Sequence, residues 1–166
     1  MAAIILNVPA VAKAIAGTSL LCEDARMELR VKKVRKGAKL LSQPYAGDVG
    51  YDLCAAEAVM VPAGERVIIP TGLALELPEG RAGLIWDKSG LATKYGLTVL
   101  GGVVDAGYRG EVLVCLANTS DEPHAFAAGD KVAQLIVQKI ELPTIVELDE
   151  LADSERGARG FGSSGA

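Results

Sequence analysis

Gly102-Val103-Val104-Asp105-Ala106-Gly107-Tyr108-Arg109-Gly110-Glu111-Val112 places two β-branched residues before a turn and an apolar run, continuing through Leu113 and Val114, behind it. Alternation on both sides predicts two paired strands, with Ala106-Gly107 at the reversal. Asp105 then stands at the rigid edge of a hairpin, and an aromatic ring, Tyr108, follows three residues later. An aspartate at a turn commonly does no more than accept bonds from neighbouring amides. The segment alone therefore leaves a structural and a catalytic reading open.

The same rhythm recurs on both sides. Leu29, Val31 and Val34 alternate with Arg30, Lys32, Lys33 and Arg35, which is a first strand. Short apolar runs follow at 59–61, 66–69, 72–77, 83–85, 99–104, 111–116 and 131–140. Turn residues divide them, among them Pro62-Ala63-Gly64, Pro78-Glu79-Gly80, Asn118-Thr119-Ser120 and Ala128-Gly129-Asp130. Many short strands at this spacing predict an all-β sandwich or barrel rather than alternating β and α units. One brief helical turn is expected over Ser89–Tyr95, ended by Gly96.

A length of 166 residues suits one domain with tails. Half the residues are hydrophobic but only 4% are aromatic, so Val, Leu, Ile and Ala must fill the interior. The formal net charge of -4 gives no general attraction to nucleic acid or to an anionic membrane, and neither is expected as a partner. Any phosphate must be gripped locally. Cys22, Cys54 and Cys115 are unpaired in spacing and only one histidine, His124, accompanies them. Reduced thiols in a cytosolic protein are the expectation, not a disulfide framework or a zinc site.

Residues 1–26 are apolar, but Pro9 and Lys13 interrupt the run, no basic stretch precedes it, and Leu21 before Cys22 does not suit a lipoprotein cleavage site. They read as an extension of unknown role, with a short amphipathic helix one possibility, ahead of a domain spanning 27–142. Residues 143–166 read as a C-terminal arm whose end is rich in Gly and Ser. Such a tail is commonly disordered. Yet glycine-freed amides, arginines and serine hydroxyls are also what a polyphosphate needs.

Five separated segments then match one family in order: 46–53 (Ala-Gly-Asp-Val-Gly-Tyr-Asp-Leu), 88–92 (Lys-Ser-Gly-Leu-Ala), 102–112, 129–136 (Gly-Asp-Lys-Val-Ala-Gln-Leu-Ile) and 156–165. From about Met27 onward the chain resembles the trimeric dUTPases. The resemblance implies a jelly-roll-like β-barrel, a homotrimer with exchanged C-terminal arms, and hydrolysis of dUTP to dUMP and pyrophosphate, which keeps uracil out of DNA. Asp105 would be the general base that orients and deprotonates water for attack on the α-phosphorus. Tyr108 would pack against the deoxyribose, and backbone groups of Gly102, Val103 and Val104 would pair with the uracil edge. Lys88, Ser89 and Gly90 would grip phosphate, Gln134 would hold phosphate or the attacking water, and Asp52 would hold waters of a bound Mg²⁺. In the arm, Arg156, Ser163 and Ser164 would reach the γ-phosphate, Phe161 would stack over uracil, and Gly162 would belong to the hinge of a closing lid.

Each of these residues also has a plainer reading. Gln134 suits a satisfied core amide, Asp52 a strand-end aspartate, Tyr51 a core ring, and Asp48 a turn residue. The chain departs from the family pattern at Lys88, where arginine is usual, at Trp86-Asp87, where a small residue and proline are usual, and at Arg159, where glycine is usual. A lysine keeps the charge but lacks the planar fork, which implies looser phosphate geometry. A dCTP deaminase shares the fold and a similar hairpin, but it needs a glutamate five residues past the closing glycine, and Cys115 stands there. A nucleotide-binding regulatory protein is the other alternative. Retention of Asp105, Tyr108, Gln134 and the arm argues against it.

Overall fold

The computed structural model describes residues 27–160. Residues 1–26, with the possible helix, and Phe161, Gly162, Ser163 and Ser164 lie outside the described residues. Ten strands and one helix run in the order β1 (Arg30–Lys33), β2 (Tyr51–Cys54), β3 (Val59–Val61), β4 (Arg66–Glu76), β5 (Arg81–Trp86), α1 (Ser89–Tyr95), β6 (Leu97–Leu100), β7 (Val103–Val104), β8 (Glu111–Asn118), β9 (His124–Phe126) and β10 (Lys131–Lys139). Two four-stranded antiparallel sheets, ordered β1-β4-β8-β6 and β2-β10-β5-β7, enclose the core in a jelly-roll-like, all-β architecture, and β3 and β9 form a separate ribbon.

Strand alternation explains how the core is filled. Along β8, Val112, Val114 and Leu116 point inward and meet Ile69 and Leu73 of β4, while Leu53, Ile85 and Leu135 come from the facing sheet. Among the described aromatic residues only Phe126 is buried, so aliphatic packing carries the interior as composition required. Gly96 closes α1 in the left-handed conformation (φ 64°), with its N–H donating to the Leu91 and Ala92 carbonyls.

The runs at 66–69 and 72–77 are one strand. Thr71-Gly72 forms an irregularity in the β4–β8 ladder between Pro70 and Ala74, and the freed Gly72 N–H donates to Glu111 Oε1 at 2.8 Å. The run at 99–104 is two strands, divided at Gly101, whose φ of 64° breaks the extended chain. The short strands β2 and β9 had no alternation of their own to announce them.

The paired strands expected around Asp105 are a correction. β7 pairs with β5 (Gly83↔Val104, Leu84↔Val103), whereas β8 pairs with β4 and β6, so the two flanking strands belong to different sheets. The turn itself is present, with Tyr108 N–H donating to the Asp105 carbonyl at 3.1 Å. Alternation reports which side chains are buried, not which ladder a strand joins. Gly102 decides the ladder: its carbonyl accepts Ile85 N–H at 2.6 Å, and a Cβ there would run into the Ile85 carbonyl oxygen.

Candidate active site

β2, β10 and the end of β5 assemble a polar cluster at one end of the second sheet. Gln134 lies opposite Asp52 on one side and Trp86 on the other. Asp52 is 3% exposed. Lys88 Nζ donates to its Oδ1 at 2.5 Å, and Lys131 Nζ lies 2.6 Å from its Oδ2. The Lys131 contact is an ion pair outside hydrogen-bond angles, so Oδ2 has no donor of its own. Burial opposes ionisation of Asp52, yet Lys131 and Lys88 together outweigh it and hold the carboxyl below the usual aspartate value. Asp52 in turn pushes the Lys131 ammonium up.

Gln134 is half-buried, and its Nε2 donates to the Asp87 carbonyl at 2.8 Å. Gly50 makes room for that side chain, because a Cβ at 50 would overlap the Gln134 amide. Asp52, Lys88, Gln134 and Gly50 line one cavity, and Lys88, Ser89, Gly90, Lys131 and Gln134 line the cavity beside it. The first turn of α1 leaves Ser89 and Gly90 exposed. Lys131 was missed in the sequence, where a charged residue opening a strand looks like solvated surface. Its place opposite β2 was the available signal. Asp48 is the turn residue expected, accepting Tyr45 N–H on Oδ2 at 3.2 Å.

Asp105 and Tyr108 stand elsewhere. Asp105 is exposed at the corner between the sheets. The Tyr108 ring folds over Gly110, and its hydroxyl donates to the Glu111 carbonyl at 3.0 Å. Glu111 is fixed in turn by the Arg35 guanidinium, whose Nε lies 2.7 and 2.8 Å from the two carboxylate oxygens. Gly102, Val103 and part of β5 line a third cavity beside this corner. β7 runs antiparallel to β5, so Asp105 leaves near the Arg81 end while Lys88 follows the Trp86 end. From the position opposite Asp105 to Lys88 the strand rise amounts to about 20 Å. No hydrogen bond or ion pair among the described residues joins the two groups.

Residues 141–160 hold no strand or helix and are exposed. Arg156 Nε donates to the Arg159 carbonyl at 3.0 Å and Arg159 Nε to the Arg156 carbonyl at 2.9 Å, around Gly157 at φ 54°. Cys115 sits on the outer face of the first sheet, paired with Ile68 and Leu100. No group of three or more His, Cys, Asp or Glu side chains able to hold a metal directly occurs among the described residues.

The site stands on an all-β, jelly-roll-like domain, with a lysine-rich polar cluster at one place and an aspartate–tyrosine corner at another. A family model described as dUTPase matches residues 36–165. The chain is 52% identical over 124 residues to a deoxyuridine 5'-triphosphate nucleotidohydrolase of Leifsonia xyli subsp. xyli, covering 73% of this chain and 82% of the relative. A protein of the same name from Thermobifida fusca is 45% identical over 142 residues, with 84% and 79% covered. Among solved structures, Staphylococcus bacteriophage 80alpha dUTPase with dUpNHpp superposes with a TM-score of 0.78 at 30% identity, covering 84% of this chain and 99% of that one. A mutant dUTPase from phage phi11 of S. aureus, described for its coordination of a structural Mg(II) ion, gives 0.69 at 27% identity, with 74% and 97% covered. The chain belongs to the dUTPase family.

Proposed function

We propose that the protein hydrolyses dUTP to dUMP and pyrophosphate, with sites built between copies of the chain. The observation that carries this reading is the separation along β5. A phosphate grip (Asp52, Lys88, Lys131, Gln134) and a nucleoside corner (Asp105, Tyr108) lie about 20 Å apart on one chain, too far for both to act on one α-phosphate. A neighbouring copy brings its corner to this chain's grip. The outer face of the first sheet supports such association, since Ile68 (61% exposed), Leu113 (46%) and Leu100 (43%) form an uncovered apolar surface around Cys115. A homotrimer with exchanged C-terminal arms is the assembly that the family resemblance favours.

In this reading Asp105 accepts the proton of a water as its oxygen attacks the α-phosphorus. The bond to the bridging oxygen breaks, and pyrophosphate leaves. Tyr108 packs against the deoxyribose, and the main chain of Gly102, Val103 and Val104 reads the uracil edge. Lys88, Ser89 and Gly90 hold the phosphates with Lys131, and Gln134 presents an amide already fixed by the Asp87 carbonyl. Arg156, Phe161, Gly162, Ser163 and Ser164 serve as the lid. Asp52 suits a magnesium ion bound through water: its carboxylate belongs to the cavity wall beside Lys88 and Gln134, its buried Oδ2 is held only by the Lys131 charge and accepts no hydrogen bond, and Mg²⁺ on a triphosphate keeps much of its water shell. Bound there, the ion neutralises phosphate charge. A cytoplasmic setting fits the thiols, and no helix among the described residues is long and apolar enough to cross a membrane.

Complementation tests the reading. Asp105→Asn and Lys88→Ala proteins are each assayed for pyrophosphate release from dUTP, then unfolded together in equal amounts and refolded. Each alone is expected to lose most turnover. Random mixing gives about one site in four with both halves intact, and about a quarter of wild-type activity returns. No recovery from a mixture that has exchanged subunits refutes shared sites, and near-wild-type turnover by Asp105→Asn refutes the general base.

A further inference from the structure

The side chains of Trp86 and Asp87, a departure from the family pattern, have no part in the reaction above, where only the Asp87 carbonyl serves, by holding Gln134. Asp87 is half-buried immediately after β5, yet its carboxylate reaches the other sheet. Oδ1 accepts Val99 N–H at 2.5 Å, and Oδ2 accepts the Thr98 hydroxyl at 3.0 Å. β6 is an edge strand whose ladder partner is β8. Gly96 accepts from Thr119 N–H, so in this antiparallel register the Val99 N–H turns away from β8. Among the described residues Asp87 is the acceptor of that amide. Three residues on, past Gly101, lies Gly102, and Asp87, Val99, Gly102 and Val103 line the same cavity.

We infer that Asp87 is a positioning residue for base selection: its carboxylate holds the β6 edge and, through Gly101, sets the main-chain wall formed by Gly102 and Val103. The inference rests on the dUTP reading, in which that wall faces uracil. Groups that read a base edge need placement to about 0.5 Å. The wall has two anchors, the Ile85–Gly102 bond on one side and the Asp87–Val99 bond on the other. Removing the second lets the Gly101 link relax, and the wall then accommodates a base bearing a 5-methyl group.

The full chain is assayed with dUTP and with dTTP as wild type, Asp87→Ala and Asp87→Asn. Asparagine preserves both bonds, accepting from Val99 N–H on Oδ1 and donating through Nδ2 to the Thr98 hydroxyl oxygen. Asp87→Ala is expected to lower kcat/KM for dUTP about tenfold, chiefly through KM, and to narrow the dUTP-over-dTTP ratio about tenfold. Asp87→Asn is expected to keep the wild-type ratio. Loss of charge beside the phosphates would impair both variants and both nucleotides alike, so the ratio and its rescue isolate positioning. A wild-type ratio in Asp87→Ala, or equal impairment in Asp87→Asn, overturns the inference. If Asp87→Ala does not fold, Thr98→Val removes one of the two bonds and should narrow the ratio about threefold; an unchanged ratio there overturns it too. Wild-type protein that leaves dUTP intact would instead sink the proposed reaction.

Discussion

Replacing Asp52 with asparagine conserves volume and removes the single negative charge between two ammonium groups. Breaking a buried ion pair from one side typically costs about 3–5 kcal/mol. Here the Lys131 side chain is 48% exposed and that of Lys88 26%, so water recovers part of the loss. About 2 kcal/mol at neutral pH is the expected destabilisation, or about 4–8 °C in Tm for a chain of this size. The pH dependence identifies the cause. The folded-state pKa of Asp52 is depressed, so as pH falls the unfolded chain takes up the proton first. The contribution is complete above the ordinary aspartate value near 3.9 and fades as pH drops through the lower folded value. Thermal unfolding of wild type and Asp52→Asn, followed from neutral pH into the acid, should show a deficit that narrows below about pH 4. A deficit of equal size throughout would mean lost packing rather than lost charge and would refute the ion-pair account.

Two further substitutions probe close contacts. In Gly50→Ala the new Cβ overlaps the Gln134 amide, which must leave the Asp87 carbonyl; steady-state dUTP turnover should fall by about tenfold or more while Tm changes little. Gly102→Ala drives a Cβ into the Ile85 carbonyl oxygen, a backbone atom of β5 that has no flexible side chain to give way. It should cost about 1–3 kcal/mol, read as a lowered urea midpoint, and a midpoint equal to wild type would remove the packing reason for glycine there.

Much of this architecture was legible in the chain. The apolar runs at 59–61, 83–85, 111–116 and 131–140 all fall on strands, and the 89–95 turn ended by Gly96 is α1. What escaped depended on contacts between distant segments. Nothing local to Val103-Val104 says that its partner is Gly83-Leu84 rather than Glu111-Val112, because a two-residue strand joins whichever edge its glycine neighbour allows. Tyr51–Cys54 hid for the opposite reason: buried at three of its four positions, it lacks the alternation that marks a half-exposed strand. In the candidate site, Asp52, Lys88 and Gln134 were named from motifs, and their meeting needed β2, β5 and β10 to lie side by side. Lys131 entered only through that meeting.

The charge cluster also makes sense of lysine at position 88. Overall the protein is acidic, with a formal charge of -4, yet Lys88 and Lys131 around one carboxylate leave a local excess of one positive charge at the cavity wall. In the proposed reading such a patch in a negative field would draw a compact polyphosphate. An arginine at 88 would present a planar fork matched to both oxygens of Asp52. That would leave Lys131 without its partner and fix the guanidinium on the carboxylate. Lysine takes Oδ1 alone, as a point charge on a flexible stem. In the proposed reading it would turn toward an incoming phosphate without uncovering Asp52, since Lys131 stays beside Oδ2. The looser grip expected from the missing fork is, in this pocket, what lets one aspartate serve two cations.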